Sequence, residues 1–299
     1  MTNISRMAGD QAKTLRDLNS HRHNGLPQKV EAPTSVYSIT SGKGGVGKTA
    51  VVANLAYMLA SMGKKVLILD ADLGLANIDV VFGISPLYNL NNFFSGEQEL
   101  QQIMVDGPLG IKILPAGSGI QNFTNLDSRQ KLRLLDGLDA IQNHFDFVLI
   151  DTEAGISENV TYFNTAAQEI VVITTPEPTA ITDAYALMKL LSTQYHEKNF
   201  NLVVNQILNE DDALDVYRKL TMVANRYLDI SIDYLGSIPD DRQMVESIRK
   251  QKVISELFPQ SKITQAFRQL AGRICSEPTQ AVPKGNLQFF WKKLLQMGG

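Results

Sequence analysis

Gly42-Lys43-Gly44-Gly45-Val46-Gly47-Lys48-Thr49 has the form of a phosphate-binding loop that carries a second lysine, Lys43, in addition to the usual Lys48. Val36-Tyr37-Ser38-Ile39-Thr40 enters the loop as a β-rich segment, and Ala50-Val51-Val52-Ala53-Asn54-Leu55-Ala56 leaves it as a helix. This strand, loop, helix context is what the motif requires. The glycines let successive backbone N–H groups turn inward around phosphates, Lys48 reaches the outer phosphates, and the Thr49 hydroxyl can ligate Mg²⁺. Gly42, Gly44, Gly45, Val46, Gly47, Lys48, Thr49 and Ala50 are therefore the candidate nucleotide-binding residues. The loop predicts a nucleotide switch.

Outward from the loop, short apolar runs alternate with helical stretches: Val66-Leu67-Ile68-Leu69, Ile111-Lys112-Ile113-Leu114, Phe147-Val148-Leu149-Ile150, Ile170-Val171-Val172-Ile173-Thr174 and Leu202-Val203-Val204. Tyr234-Leu235-Gly236-Ser237-Ile238 is a shorter candidate strand. Strands that are apolar on both faces and separated by helices predict an α/β protein of the P-loop NTPase three-layer kind, a mostly parallel sheet covered by helices on both faces. In such sheets ligands bind outside the carboxyl ends of the strands. The polar signals fall at those ends: the loop, Asp70 to Asp72, Asp151 and Asn205.

Asp70 and Asp72 are two residues apart in extended chain and so share a face. They can divide the tasks of holding hydrated Mg²⁺ and orienting an attacking water, or simply close a turn. Asp151, after an apolar run, has the form of a second Mg²⁺-associated carboxylate. Thr49, Asp70 and Asp151 are the candidate metal residues. In Thr152-Glu153-Ala154-Gly155, the glycine supplies a flexible N–H able to sense a terminal phosphate. Asn205 can read an adenine edge with its amide or act as a turn residue after its strand, and Pro239 and Asp240 can wall a base pocket. His144 and His196 have no metal-ligand spacing and read as surface residues.

With 299 residues, 44% hydrophobic and 20% charged, the chain is long enough for one large domain with a buried core. A net charge of −3 and a pI near 5.8 leave no global field for nucleic acid, and no direct nucleic-acid partner is expected. The lone Cys275 excludes a disulfide framework or a metal cluster held by this chain's own thiols, and a reduced cytoplasmic setting fits. No signal-peptide core and no apolar run near ~20 residues is present, so neither secretion nor membrane spanning is expected.

Residues 1–34 are polar and read as a mobile extension, with Met7, Gln11, Leu15 and Leu18 spaced for a short partner-binding helix over about 7–19. Residues 35–277 form the expected ATPase domain, and 278–299 a linker and terminal amphipathic helix. Leu287, Phe290, Trp291, Leu294 and Leu295 fall on one face of that helix beside Lys292 and Lys293. The pattern suits an anionic water–lipid boundary or docking on the domain's own surface.

The loop with Lys43, Asp70-Ala71-Asp72-Leu73-Gly74-Leu75-Ala76-Asn77, and Asp151-Thr152-x-Ala154-Gly155 together resemble the MinD/ParA group of deviant Walker ATPases. Asp10-Gln11-Ala12-x-x-Leu15-Arg16 resembles the N-terminal DQAxxLR motif of the group's flagellar-number regulator branch, FlhG or FleN. Glu177 to Leu187 and Leu287-Gln288-Phe289-Phe290 resemble further stretches of that branch. The resemblance implies a monomer with ADP and an ATP-sandwich homodimer in which Lys43 crosses to the partner's phosphates. It further implies slow, Mg²⁺-dependent ATP hydrolysis in which Lys43 and Lys48 stabilise charge and Asp72 activates water. ATP binding would free the C-terminal helix to dock on the inner face of the cytoplasmic membrane, at the cell pole. Asp10, Gln11, Ala12, Leu15 and Arg16 would engage the signal-recognition-particle-type GTPase FlhF. Flagellar switch-complex (C-ring) proteins and the σ54-dependent flagellar master activator are the other implied partners.

Glu153 departs from the small residue or proline usual before Ala154-Gly155 in this group. A carboxylate near the terminal phosphate would slow hydrolysis with binding retained, whereas one turned outward would be silent. A MinD-type division-site regulator shares the core but lacks the extension with Asp10 to Arg16. A ParA-type DNA-partitioning ATPase would need a basic surface, and a metal-cluster carrier more than one cysteine.

Overall fold

The computed structural model describes residues 34–72, 77–115 and 144–276, with positions 129, 130, 133, 136, 137 and 141 between them. Asp10 to Arg16, residues 73–76 and the terminal segment from Leu287 to Leu295 lie outside the described residues.

Eight strands form one sheet: β1 (Ser35–Ser41), β2 (Val66–Ala71), β3 (Val105–Asp106), β4 (Lys112–Pro115), β5 (Phe147–Ala154), β6 (Glu169–Thr174), β7 (Asn199–Ile207) and β8 (Ser231–Pro239). Their order is β3-β4-β2-β5-β1-β6-β7-β8, with every pair parallel except β3 with β4. The mostly parallel sheet agrees with the sequence reading. The two-residue antiparallel edge strand β3 was not legible, being too short to show a period of two. β7 and β8 run beyond the apolar triplet and pentad that marked them, because their outer residues alternate in burial.

The helices are α1 (Lys48–Ser61), α2 (Ile78–Phe82), α3 (Leu90–Ser95), α4 (Leu100–Ile103), α5 (Glu158–Ala166), α6 (Pro178–Tyr195), α7 (Glu210–Tyr227), α8 (Arg242–Arg249), α9 (Ile254–Leu257) and α10 (Lys262–Ser276). Side chains of a strand point alternately to its two faces, so Leu149 of β5 joins α1 and α10 on one side while Val148 and Ile150 join α5 and α3 on the other. Likewise Ile170 and Val172 of β6 pack with α6 and α7, while Val171 and Ile173 face α1. Helix α1 is buried along most of its length, from Val51 to Leu59, and fills the middle of its layer.

Strand β1 departs from this apolar rule on one face. Ser38 Oγ donates to Asn164 Oδ1 at 2.7 Å, and Asn164 Nδ2 donates to Thr40 Oγ1 at 3.2 Å and to the Val160 carbonyl at 2.7 Å. Each buried polar group thus has a partner, which is what makes polar burial tolerable. This network joins β1 to α5 directly behind the phosphate-binding loop. Because β1 lies between β5 and β6, and the chain runs from β1 to β2 on one side and from β5 across to β6 on the other, the crevice at the carboxyl ends of β1 and its neighbours is the switch point of the sheet.

Candidate functional site

The loop turns because two of its glycines, Gly45 at φ 82° and Gly47 at φ 84°, take left-handed backbone. Gly42 is required for a different reason. A Cβ there would lie 2.1 Å from the Asp183 carbonyl oxygen, so the loop rests against the backbone of α6. Gly47 stands at the N-cap of α1 with no side-chain capping bond, leaving the first N–H groups of the helix to face a ligand.

Beneath the loop, Asp70 and Asp151 lie opposite each other in the β2–β5 register. Lys48 Nζ donates to Asp151 Oδ1 at 2.6 Å, with side-chain exposures of 7% and 1%. The other Asp151 oxygen is buried without a hydrogen-bond partner. Burial pushes the Asp151 carboxyl up, and the Lys48 ammonium pulls it part of the way back. Asp70 accepts from the backbone N–H groups of Asp72 and Ile78, each at 3.3 Å, and so closes the base of the connection between β2 and α2. Burial and the neighbouring Asp151 raise the Asp70 carboxyl to about 7 despite those two bonds.

An orphaned buried carboxylate oxygen, a second carboxylate opposite it and the Thr49 hydroxyl fit a hard, oxygen-seeking cation. Among the described residues no group of three His, Cys, Asp or Glu could hold a metal. That donor set suits Mg²⁺, which keeps waters and relies on one or two carboxylates plus phosphate oxygens.

The segment after Asp151 returns to the loop. Gly155, at φ 99°, donates its N–H to the Ser41 carbonyl at 2.8 Å, and Ala154 Cβ lies 3.9 Å from where a Cβ on Gly44 would sit. Glu153 is held at the start of α5, accepting from Ser157 Oγ at 3.0 Å and Asn159 Nδ2 at 3.5 Å. Ser157 is itself the N-cap of α5, accepting from Val160 N–H. The sequence reading missed this tie between Glu153 and a helix cap, although the Glu153 to Ser157 spacing was visible.

Lys43 extends to the first turn of α6, where its Nζ donates to Glu177 Oε1 at 2.6 Å and to Thr179 Oγ1 at 2.7 Å. The Lys43 bond holds the Glu177 carboxyl below its ordinary value. No local sequence signal connected Lys43 to these two residues, 134 and 136 positions away.

On the far side of the loop, Asn205 Nδ2 donates to the Val46 carbonyl at 2.7 Å and would lie 2.5 Å from a Cβ on Gly47. Its amide braces the loop from below. The next residue, Gln206, is an extra residue in the β7–β8 ladder and takes left-handed backbone at φ 58°. That conformation costs a non-glycine residue about 1 kcal/mol. Ile207 then accepts the Asp240 N–H at 2.9 Å, which ties Pro239 and Asp240 to the same bulge. The Asp70–Asp151 pair, Gly155 and Asn205 thus border the loop that carries Lys43 and Lys48, and Asp240 is tied to the bulge that follows Asn205. His144 and His196 are exposed.

An AAA domain family model matches residues 34–204. The chain is 41% identical over 264 residues to the antiactivator FleN of Pseudomonas aeruginosa, covering 88% of this chain and 94% of FleN. It is 35% identical over 270 residues to the flagellum site-determining protein YlxH of Helicobacter pylori, covering 89% and 91%. A similar solved structure is the septum site-determining protein MinD of Pyrococcus horikoshii complexed with Mg-ADP, at 27% identity and TM-score 0.63, covering 81% of this chain and 96% of that one. These similarities and the loop geometry agree: the chain is a P-loop ATPase of the MinD/ParA deviant Walker group and belongs to the branch that contains FleN and YlxH.

Proposed function

We propose that the protein is an ATP-dependent dimerising switch that regulates the number and placement of flagella from the inner face of the cytoplasmic membrane. The observation that carries the ATPase part is the buried Lys48–Asp151 pair, with one carboxylate oxygen unpartnered, beneath the uncapped start of α1. A terminal phosphate reaching Lys48 would draw the ammonium from Asp151 and leave that carboxylate available for a cation. Mg²⁺, when bound through Thr49, Asp70 and Asp151, would neutralise charge on the phosphate oxygens. Asp72, beside them, orients the attacking water. Lys43 leaves Glu177 and Thr179 to reach a second copy's phosphates, so hydrolysis and dimerisation are coupled.

Gly155 exchanges its bond to Ser41 for one to the terminal phosphate, and the segment through Glu153 and Ser157 carries that change to α5. Leu287, Phe290, Trp291, Leu294 and Leu295 form the membrane anchor in the ATP state, and Asp10 to Arg16 engage the FlhF GTPase. Switch-complex proteins and the σ54-dependent activator complete the proposed partners. The flagellar reading is supported by similarity to FleN and YlxH over most of each protein's length.

The deciding experiment is deletion of the gene in its host, with flagella and minicells counted by electron microscopy. Surplus or misplaced flagella with normal division are expected. Minicells with normal flagella would move the protein to division-site regulation, the second reading, which the likeness to MinD supports.

A further inference from the structure

Strand β1 carries a buried polar network where the matching stretches of its neighbours are apolar. Val66 to Leu69 of β2, Phe147 to Ile150 of β5 and Ile170 to Ile173 of β6 are buried apolar runs, whereas Ser38, Thr40 and Asn164 are polar and fully buried. Apolar groups of the same shape would fill this layer at little net cost, because a hydrogen bond exchanged for water contributes only modestly to stability. What a satisfied buried network adds is one fixed arrangement of the elements it joins. Asn164 is its hub, accepting from Ser38 Oγ and donating to Thr40 Oγ1 and the Val160 carbonyl.

The elements joined are the strand that enters the phosphate-binding loop and the helix that follows Gly155. Along β1 and β5 the ladder pairs Ile39 with Asp151 and then Ser41 with Ala154, so Thr40 alone stands against Thr152 and Glu153. Regular pairing therefore breaks just after Asp151. Past the break, the Thr152 hydroxyl donates to the Ile39 carbonyl at 3.1 Å and the Gly155 N–H to the Ser41 carbonyl at 2.8 Å. In the proposed switch the Gly155 bond is the one given up to a terminal phosphate. The first turn of α5 is loosely held: Asn159 Oδ1 is buried without a hydrogen-bond partner among the described residues, and Asn159 Nδ2 reaches Glu153 only at 3.5 Å. Asn164, further along the same helix, ties the body of α5 to two residues of β1.

We infer that Asn164 is a positioning residue for ATP hydrolysis: by holding α5 to β1 behind the loop it fixes the pivot on which Gly155 swings, and so aims the Gly155 N–H at the terminal phosphate. Ground-state binding falls to the loop N–H groups and Lys48, so loss of the pivot should lower kcat and leave KM for ATP nearly unchanged. The inference rests on the ATPase reading above.

The test measures phosphate release and thermal melting of the full-length protein and its variants. Asn164→Leu alone would leave two buried hydroxyls unpaired, so it is combined with Ser38→Ala and Thr40→Val, which replaces the whole network by apolar groups. This triple variant should melt near the wild-type temperature, keep KM within about twofold and lose about tenfold or more in kcat. Two single variants act on one bond of the network: Thr40→Val keeps the shape and removes the acceptor, and Thr40→Ser keeps the acceptor. Thr40→Val should lower kcat roughly fivefold, and Thr40→Ser should stay near the wild-type rate. Wild-type kcat in Thr40→Val, or an equal loss in Thr40→Val and Thr40→Ser, would overturn the inference and leave the network a packing feature. Wild-type protein that neither binds nor hydrolyses ATP would overturn the ATPase reading, and this inference with it.

Discussion

Burial and the nearby Asp151 raise Asp70 to about 7, whereas in the unfolded chain it titrates near its ordinary value of 3.8. Between those values the folded, nucleotide-free protein holds a proton that the unfolded chain has released. Stability from this group is therefore fully present below about 3.8, is lost as pH rises through about 7, and changes no further above that. Thermal melts of nucleotide-free protein from pH 5 to 8 should show this fall, and Asp70→Asn should flatten it; equal slopes in the two proteins would exclude Asp70 as its source. Glu153 gives a second test at this scale. Its carboxylate is tied to Ser157 and Asn159, so Glu153→Ala frees the switch segment and removes a negative charge near the proposed terminal phosphate. Turnover should rise roughly fivefold, the rate equivalent of about 1 kcal/mol, with ATP affinity retained. Unchanged turnover would mean that the carboxylate is silent. The placement of Asp70 and Asp151 next to the loop was legible in the sequence, because carboxylates that follow apolar strands of a parallel sheet come out at its carboxyl edge. The partners of Lys43 and Glu153 were not, since ion pairs and caps depend on which segments the fold brings together.

Helix α10 shows how an element is held. Ile263, Phe267, Leu270 and Ile274 recur at helical spacing and are nearly or fully buried against β8 and α1, Lys262 and Arg268 are exposed, and Arg273 donates to the Leu235 carbonyl of β8. Phe267 is fully buried, so Phe267→Ala should destabilise the domain by about 3–5 kcal/mol in urea unfolding. A loss under 1 kcal/mol would show that the helix is not part of the cooperative core. The strands of the central sheet were legible as elements because a strand covered on both faces is apolar throughout. β3 and the outer residues of β7 and β8 were not, because at the edges of the sheet burial is partial and local pattern no longer reports pairing. The bulge at Gln206 belongs to this class: only the pairing of β7 with β8 reveals that one residue is extra.

For the molecule as a whole, the proposed switch joins hydrolysis, dimerisation and membrane attachment, and one comparison separates them. Asp72→Ala should bind ATP, accumulate as a dimer by light scattering, and sediment with anionic vesicles. The same variant ending at Lys284 should dimerise equally and remain in the supernatant. Wild-type hydrolysis by Asp72→Ala would remove Asp72 from the water-activating role, and sedimentation of the shortened chain would remove the terminal helix as anchor. The sequence by itself determined the fold class and the phosphate-binding loop, and pointed to the carboxylates at the ends of β2 and β5, because hydrophobic periodicity and phosphate chemistry are written locally in residue types and spacings. Only the tertiary structure decided that Lys48 rests on Asp151, that Lys43 rests on Glu177 and Thr179, and that the Asn205 amide donates to the loop carbonyl of Val46. Those are contacts between segments more than a hundred residues apart, set by strand order and register, and no local pattern encodes them.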